Sequence, residues 1–162
     1  MASTISSTDL KVKITEEIIL NGKDQGSSNT LTIGSIKDIS KRIITIAADD
    51  DATVLVFKST TASADGALDK DNVKYIRITN LDDSNSVNLS LQLDSGEDNS
   101  AADLSVTHLL EAGRSFMMGT PDEAVHADDD SATIVTALTD LESIIVDPGS
   151  NAGTVEVFTA SA

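Results

Sequence analysis

Residues 73–118 read VKYIRITN (73–80), LDDSNS (81–86), VNLSLQL (87–93), DSGEDNSAAD (94–103), LSVTHLL (104–110) and EAGRSFMM (111–118). In the third of these segments Val87, Leu89, Leu91 and Leu93 alternate without a miss with Asn88, Ser90 and Gln92. Successive side chains of a strand point to opposite faces, so this pattern specifies a strand buried on one side and polar on the other. The neighbouring segments are strand-like as well, and clusters of Asp, Asn, Ser and Gly join them. The stretch therefore predicts a β-meander that forms one wall of a β-sandwich.

Upstream, Leu10 to Leu20 carries Leu10, Val12, Ile14, Ile18 and Leu20 on one side and Lys11, Lys13 and Thr15 on the other, with Glu16 breaking the apolar side. A bulge or strand end is expected there. Asn21-Gly22 is a turn dipeptide whose residues both tolerate positive φ. The polar run Lys23–Asn29 predicts a loop longer than a tight hairpin, followed by a short strand at Thr30–Ile33. Ser35–Lys41 fits either a helical turn, with Ile36 and Ile39 three apart, or an irregular start to a strand. RIITIA (42–47) and TVLVFK (53–58) are β-branched runs separated by Asp49-Asp50-Asp51.

Downstream, Thr120-Pro121-Asp122-Glu123 carries a cap, a first-turn proline and an acid in the order that opens a helix, and predicts one helical turn. Strands are expected at Ala132–Leu138, Leu141–Val146 (after a possible helical turn at Thr139–Glu142) and Gly153–Thr159, with a dense turn signal at Asp147–Asn151. The prediction is an all-β chain: a single-domain antiparallel β-sandwich, jelly-roll or Ig-like, of about ten short strands with at most one or two helical turns. Residues 1–9, small and rich in Ser and Thr, are expected to form a flexible N-terminal arm, and residues 10–162 the sandwich domain.

Composition narrows the functions. The 162 residues suit one domain. No cysteine is present, which removes disulfides, thiolate metal sites and Cys nucleophiles. Twenty-seven acids against 11 Lys and Arg give a net charge of −16, a field that repels nucleic acid and anionic lipid. Neither a nucleic-acid nor a membrane partner is expected, and no apolar run is long enough to span a bilayer. The N-terminus lacks the basic and apolar regions of a secretory signal. One Tyr, three Phe and no Trp leave little for base stacking or aromatic sugar subsites.

Candidate chemistry is sparse. His108 is in register with Leu104, Val106 and Leu110, which predicts a buried or half-buried structural histidine. His126 stands near Asp122, Glu123 and Asp128–Asp130, but no second histidine is placed to complete a zinc site. Asp49, Asp51, Asp128 and Asp130 are the calcium candidates, since hard cations take oxygen ligands from loops. Consecutive Asp residues in an extended loop point in opposite directions, however, and the spaced Asp/Asn pattern closed by a Glu is absent. There is no G-x-S-x-G elbow and no glycine-rich phosphate loop. No catalytic residue and no cofactor is assigned, and the expectation is a protein without enzymatic activity.

What remains is surface. Ile43-Ile44, Ile144-Ile145-Val146 and Phe116-Met117-Met118 put apolar residues on both faces of their strands, more than one sandwich interior needs. This predicts a homo-oligomer, with closed cyclic symmetry its natural form. Ser3, Ile5, Leu10, Phe116 and Met118 are the candidate interface residues.

Four segments, ITEEIILNGKDQGSSNTLTIGSIKDISKRI, VKYIRITNLDDSNSVNLSLQL, LEAGRSFMMG and LESIIVDPGSNAGTVEVFTASA, cover most of the chain. Together they resemble small virion structural proteins of tailed bacteriophages, marine ones especially. The resemblance implies a non-enzymatic particle component made in the host cytoplasm and resident in the virion. Its leading form is a capsid decoration (cement) protein that binds the major capsid protein at the capsid surface as a homo-oligomer, with a trimer at local symmetry axes as one form. A tail or head-completion component is the alternative within the family. Outside it stands a carbohydrate-binding or adhesive sandwich, with or without bound calcium. The resemblance transfers no functional residues, because such proteins act through whole surfaces.

Overall fold

The computed structural model describes residues 5–59, 66–93, 104–127 and 137–162. Thirteen strands and no helix are found among them. In chain order they are β1 (Thr8–Glu16), β2 (Ile19–Leu20), β3 (Lys23–Asp24), β4 (Ser27–Ile36), β5 (Asp38–Ile46), β6 (Ala52–Lys58), β7 (Leu68–Asp69), β8 (Val73–Asn80), β9 (Val87–Leu93), β10 (Leu104–Leu110), β11 (Ser115–Met118), β12 (Leu141–Asp147) and β13 (Gly153–Ser161).

Two sheets face each other across the core. One has the order β10-β9-β12-β6-β7 and the other β11-β8-β13-β5. Every pairing in them is antiparallel except the two-residue contact of β7 with β6. The alternation in β9 does what the sequence predicts: Val87, Leu89, Leu91 and Leu93 are buried, while Asn88, Ser90 and Gln92 are half-buried on the other face. They meet Ile144 and Val146 of β12, Val54 and Phe57 of β6, and Ile76, Ile78, Val155 and Val157 from the opposite sheet. Each such side chain, taken fully out of water, stabilises the fold by roughly 1.5–3 kcal/mol.

The remaining strands stand apart from the sandwich. β1 and β4 form a two-stranded antiparallel ribbon, and β2 and β3 extend it as a tip. The chain turns from ribbon into sandwich across one residue, Lys37, whose N–H donates to the Ser161 carbonyl at 2.8 Å. Ser35 takes φ 64° to make that turn. Two strands thus meet at Ser35–Lys41, where a helical turn was one expectation. The Asn21-Gly22 turn forms with φ 51° and 74° at the two residues. It closes a tighter hairpin than expected, because Lys23 and Asp24 pair with Leu20 and Ile19 instead of opening a loop.

The helical turn expected after Thr120 does not form. Thr120 Oγ1 accepts the Asp122 N–H at 3.1 Å, as a cap would. Glu123 then takes φ 43°, and its N–H donates to Asp140 Oδ1 at 2.9 Å. Its backbone is therefore committed to a partner 17 residues away, and Val125 bridges to Thr139. The second expected turn, at Thr139–Glu142, is replaced by the start of β12. The strand expected at Ala132–Leu138 falls almost wholly outside the described residues.

Candidate interaction surface

Pairing register divides the ribbon into two faces. Leu10, Val12 and Ile14 stand opposite Ile33, Leu31 and Asn29, and Lys11, Lys13 and Thr15 stand opposite Thr32, Thr30 and Ser28. At its root the apolar face lies on the outer surface of the four-stranded sheet: Leu10, Val12 and Ile33 pack with Ile36, Tyr75, Phe158 and Ala160 in a second, smaller core. Tyr75 and Phe158 meet edge to face with ring centroids 6.0 Å apart, and the Arg77 guanidinium lies 5.8 Å from the Phe158 centroid. Burial raises the Tyr75 pKa, with Arg77 acting in the opposite sense.

Beyond this root the apolar face continues without cover. Ile14, Ile18, Ile19, Leu20 and Leu31 are 47–77% exposed. Gly26 sets how the tip leaves the ribbon. A Cβ there would lie 2.3 Å from the Glu16 carbonyl oxygen, so only glycine allows the two strands this close. Asp24 accepts the Gly26 N–H at 2.8 Å and Glu16 accepts the Ser27 hydroxyl at 2.5 Å, which holds the junction.

Two adjoining grooves run along the ribbon where it lifts from the sheet. One, of about 370 Å³, is an apolar wedge lined by Val12, Ile14, Leu31, Tyr75, Met117 and Lys74 among others. The second, of about 510 Å³, includes Lys11, Lys13, Arg77 and Ser115. No Asp or Glu lines either groove, in a chain with 27 of them. Arg77 is engaged by Glu156 at 2.5 Å, and Lys41 joins the same carboxylate at 2.9 Å. The Lys41 hydrogen bond, with that of Arg77, lowers the Glu156 pKa.

The residues singled out from the sequence are placed as follows. Ile5 is exposed, and Ser3 lies outside the described residues. Leu10, at the root of the ribbon, is half-buried, and Phe116 and Met118 turn inward against the main core, so the outward apolar residue of that strand is Met117. Ile43 does carry surplus apolar surface, at 64% exposure.

His108 corrects the expectation of burial: it is exposed and its ring lies 5.7 Å from that of Phe116. It does share a face with Leu104, Val106 and Leu110, but β10 is an edge strand with a neighbour on one side only, and the Phe116 ring of the opposite sheet covers the imidazole only in part. Asp49 (φ 58°) and Asp51 sit in the exposed β5–β6 turn, where the Asp49 N–H donates to the Gly149 carbonyl. Asp128 and Asp130 lie outside the described residues. Among the described residues no group of three His, Asp or Glu side chains is placed to hold a metal ion. The sequence reading missed the tip residues Ile18, Ile19 and Leu20 as surface. Their signal was an apolar run, Ile18–Leu20, set directly before the Asn21-Gly22 turn and followed across it by the charged pair Lys23-Asp24, which leaves it no apolar partner across the hairpin.

No protein-family model and no curated protein matches the chain. A solved chain from Bacillus endospore appendages, described as a novel family of disulfide-linked pili, is similar at 12% identity over 76% of this chain and 85% of that one, with a TM-score of 0.36. A superposition of that quality bears on neither fold nor role, and the present chain has no cysteine with which to make such links.

Proposed function

We propose that this protein is a non-enzymatic structural component of a phage virion, a decoration protein that covers the capsid surface as a homo-oligomer and stiffens it by adding buried interface. The observation that carries this reading is the projecting ribbon with its run of uncovered aliphatic side chains. Contiguous apolar surface of this kind marks interaction sites on soluble proteins. The sandwich supplies a rigid base, and a body that holds most of the −16 charge stays soluble while the arm makes contact. The sequence resemblance to phage particle proteins supplies the setting. The partner implied is the major capsid protein, reached from the host cytoplasm during assembly.

Mass spectrometry of purified particles tests it. Copy numbers comparable with the major capsid protein are expected. A handful of copies per particle would move the protein to the tail or head completion, and its absence from particles would overturn the reading. Light scattering on the isolated protein is expected to return a multiple of 16.9 kDa.

A further inference from the structure

The tip and the wedge carry opposite charge decoration around matching apolar surfaces. Ile18, Ile19 and Leu20 are collared by Glu16, Glu17 and Asp24, against the single cation Lys23 that pairs with Leu20, so the tip is net negative. The wedge of Ile14, Leu31 and Met117 is bordered by Lys74, with Lys11 and Lys13 on the adjoining groove, and no acid lines either groove. Among the described residues, none of these three lysines is in a salt bridge. The ribbon, residues 8–36, holds three lysines and four acids, which is −1 of the total −16. Two bodies that repel one another can therefore approach through their ribbons. The wedge lies beneath the ribbon while the tip extends beyond it, and the β1–β4 pairing holds the two apart within one chain. An acid-collared aliphatic tip cannot fill its own lysine-bordered wedge.

We infer that the tip of one copy seats in the wedge of a second copy of this chain. Ile19 and Leu20 enter beside Met117 and Leu31, and Glu16 and Glu17 come to face Lys74 and Lys13. Such an arrangement closes either reciprocally, as a two-fold dimer, or head to tail, as a ring. The inference rests on the homo-oligomer of the proposed function and names the surfaces that build it. Opposite charges at the rim would set register and speed encounter, and the desolvated aliphatics would hold the complex.

The absence of cysteine makes a direct test clean. Two single variants of the full chain, Ile19→Cys and Met117→Cys, are mixed under mild oxidation, one of them tagged so that the mixed dimer separates by size. Both positions are exposed, so neither substitution disturbs the core. A mixed disulfide between Ile19→Cys and Met117→Cys is expected, and none between Ile19→Cys and Ile39→Cys on the far edge of the same sheet. If light scattering shows an oligomer but the Ile19–Met117 disulfide fails to form, the seating is overturned and the oligomer stands. A mass of 16.9 kDa with no disulfide would overturn both.

Discussion

The Asn80 side-chain amide donates to the Leu110 carbonyl at 3.2 Å, joining the last residue of β8 in one sheet to the last residue of β10 in the other. Asn80 is completely buried, and both ends of its side-chain amide are used. Its Nδ2 also donates to the Asn85 carbonyl at 2.8 Å, its Oδ1 accepts the Asp82 N–H at 3.0 Å, and its backbone N–H donates to the Arg114 carbonyl at 2.9 Å. Removing one side of a buried hydrogen bond leaves the other unpaid for by water. Asn80→Ala is expected to destabilise the protein by about 3 kcal/mol. Urea unfolding checks this, and a change below about 1 kcal/mol would mean that water enters and replaces the amide.

Leu89 and Leu109 lie on neighbouring strands but differ in cover, the first fully buried and the second 56% exposed. Leu89→Ala is expected to cost about 2–5 kcal/mol through lost burial and the cavity left behind. Leu109→Ala is expected to stay within about 0.5 kcal/mol of the parent. Thermal or denaturant melts of the two variants make the comparison.

Lys70 ties the β7–β8 connection to two acids, contacting Asp140 closely and Asp122 at 3.5 Å. The hydrogen bond with Asp140, opposed by burial, raises the Lys70 pKa. Burial pushes the Asp140 carboxyl up, but the Lys70 hydrogen bond and the Glu123 N–H together outweigh it and its pKa is lowered. A lowered carboxyl contributes stability above its unfolded value, about 3.9, that disappears as pH falls through the folded value. The raised lysine contributes stability below about 10.4 that disappears as pH rises through its own folded value. Lys70→Met is expected to lower stability by about 1 kcal/mol at neutral pH, the groups being partly solvated. It is also expected to flatten the stability profile at both extremes. An unchanged acid limb in pH-dependent melting would count against the tie.

Gly26→Ala is expected to loosen the ribbon and leave the sandwich folded, because the clash with the Glu16 carbonyl is confined to the tip junction. Amide exchange in residues 16–27 is expected to speed up by about tenfold or more while β9 and β13 keep their protection. Exchange that rises throughout the chain would show that the ribbon and sandwich unfold as one unit.

The strands of the sandwich were legible because their signal is local. The period of two in Val87–Leu93, and the β-branched runs at 42–47 and 53–58, needed no knowledge of neighbours. The helix expected at Thr120 failed for the opposite reason. Its cap and acid are local signals, and they lost to Asp140, which captures the Glu123 N–H from a distant part of the chain. Of the interaction surface only its raw material could be read: exposed Ile5 and Ile43 were within reach, but Met117 could not be told from Phe116 and Met118.

The amino-acid order alone determined that the chain is all-β, which face of Val87–Leu93 is apolar, that Asn21-Gly22 reverses the chain, and that no thiol chemistry is available. Each of these follows from dihedral preference, side-chain alternation or composition, properties a segment carries with it. Only the tertiary structure decided which apolar faces are covered. It placed β10 at an edge, leaving His108 in solvent, and it lifted β1 and β4 off the sandwich with their aliphatic tip uncovered. It also gathered Lys11 and Lys13 of β1 and Lys74 of β8 around grooves free of acids. Cover and charge clustering depend on what packs against a strand, and that partner comes from elsewhere in the chain.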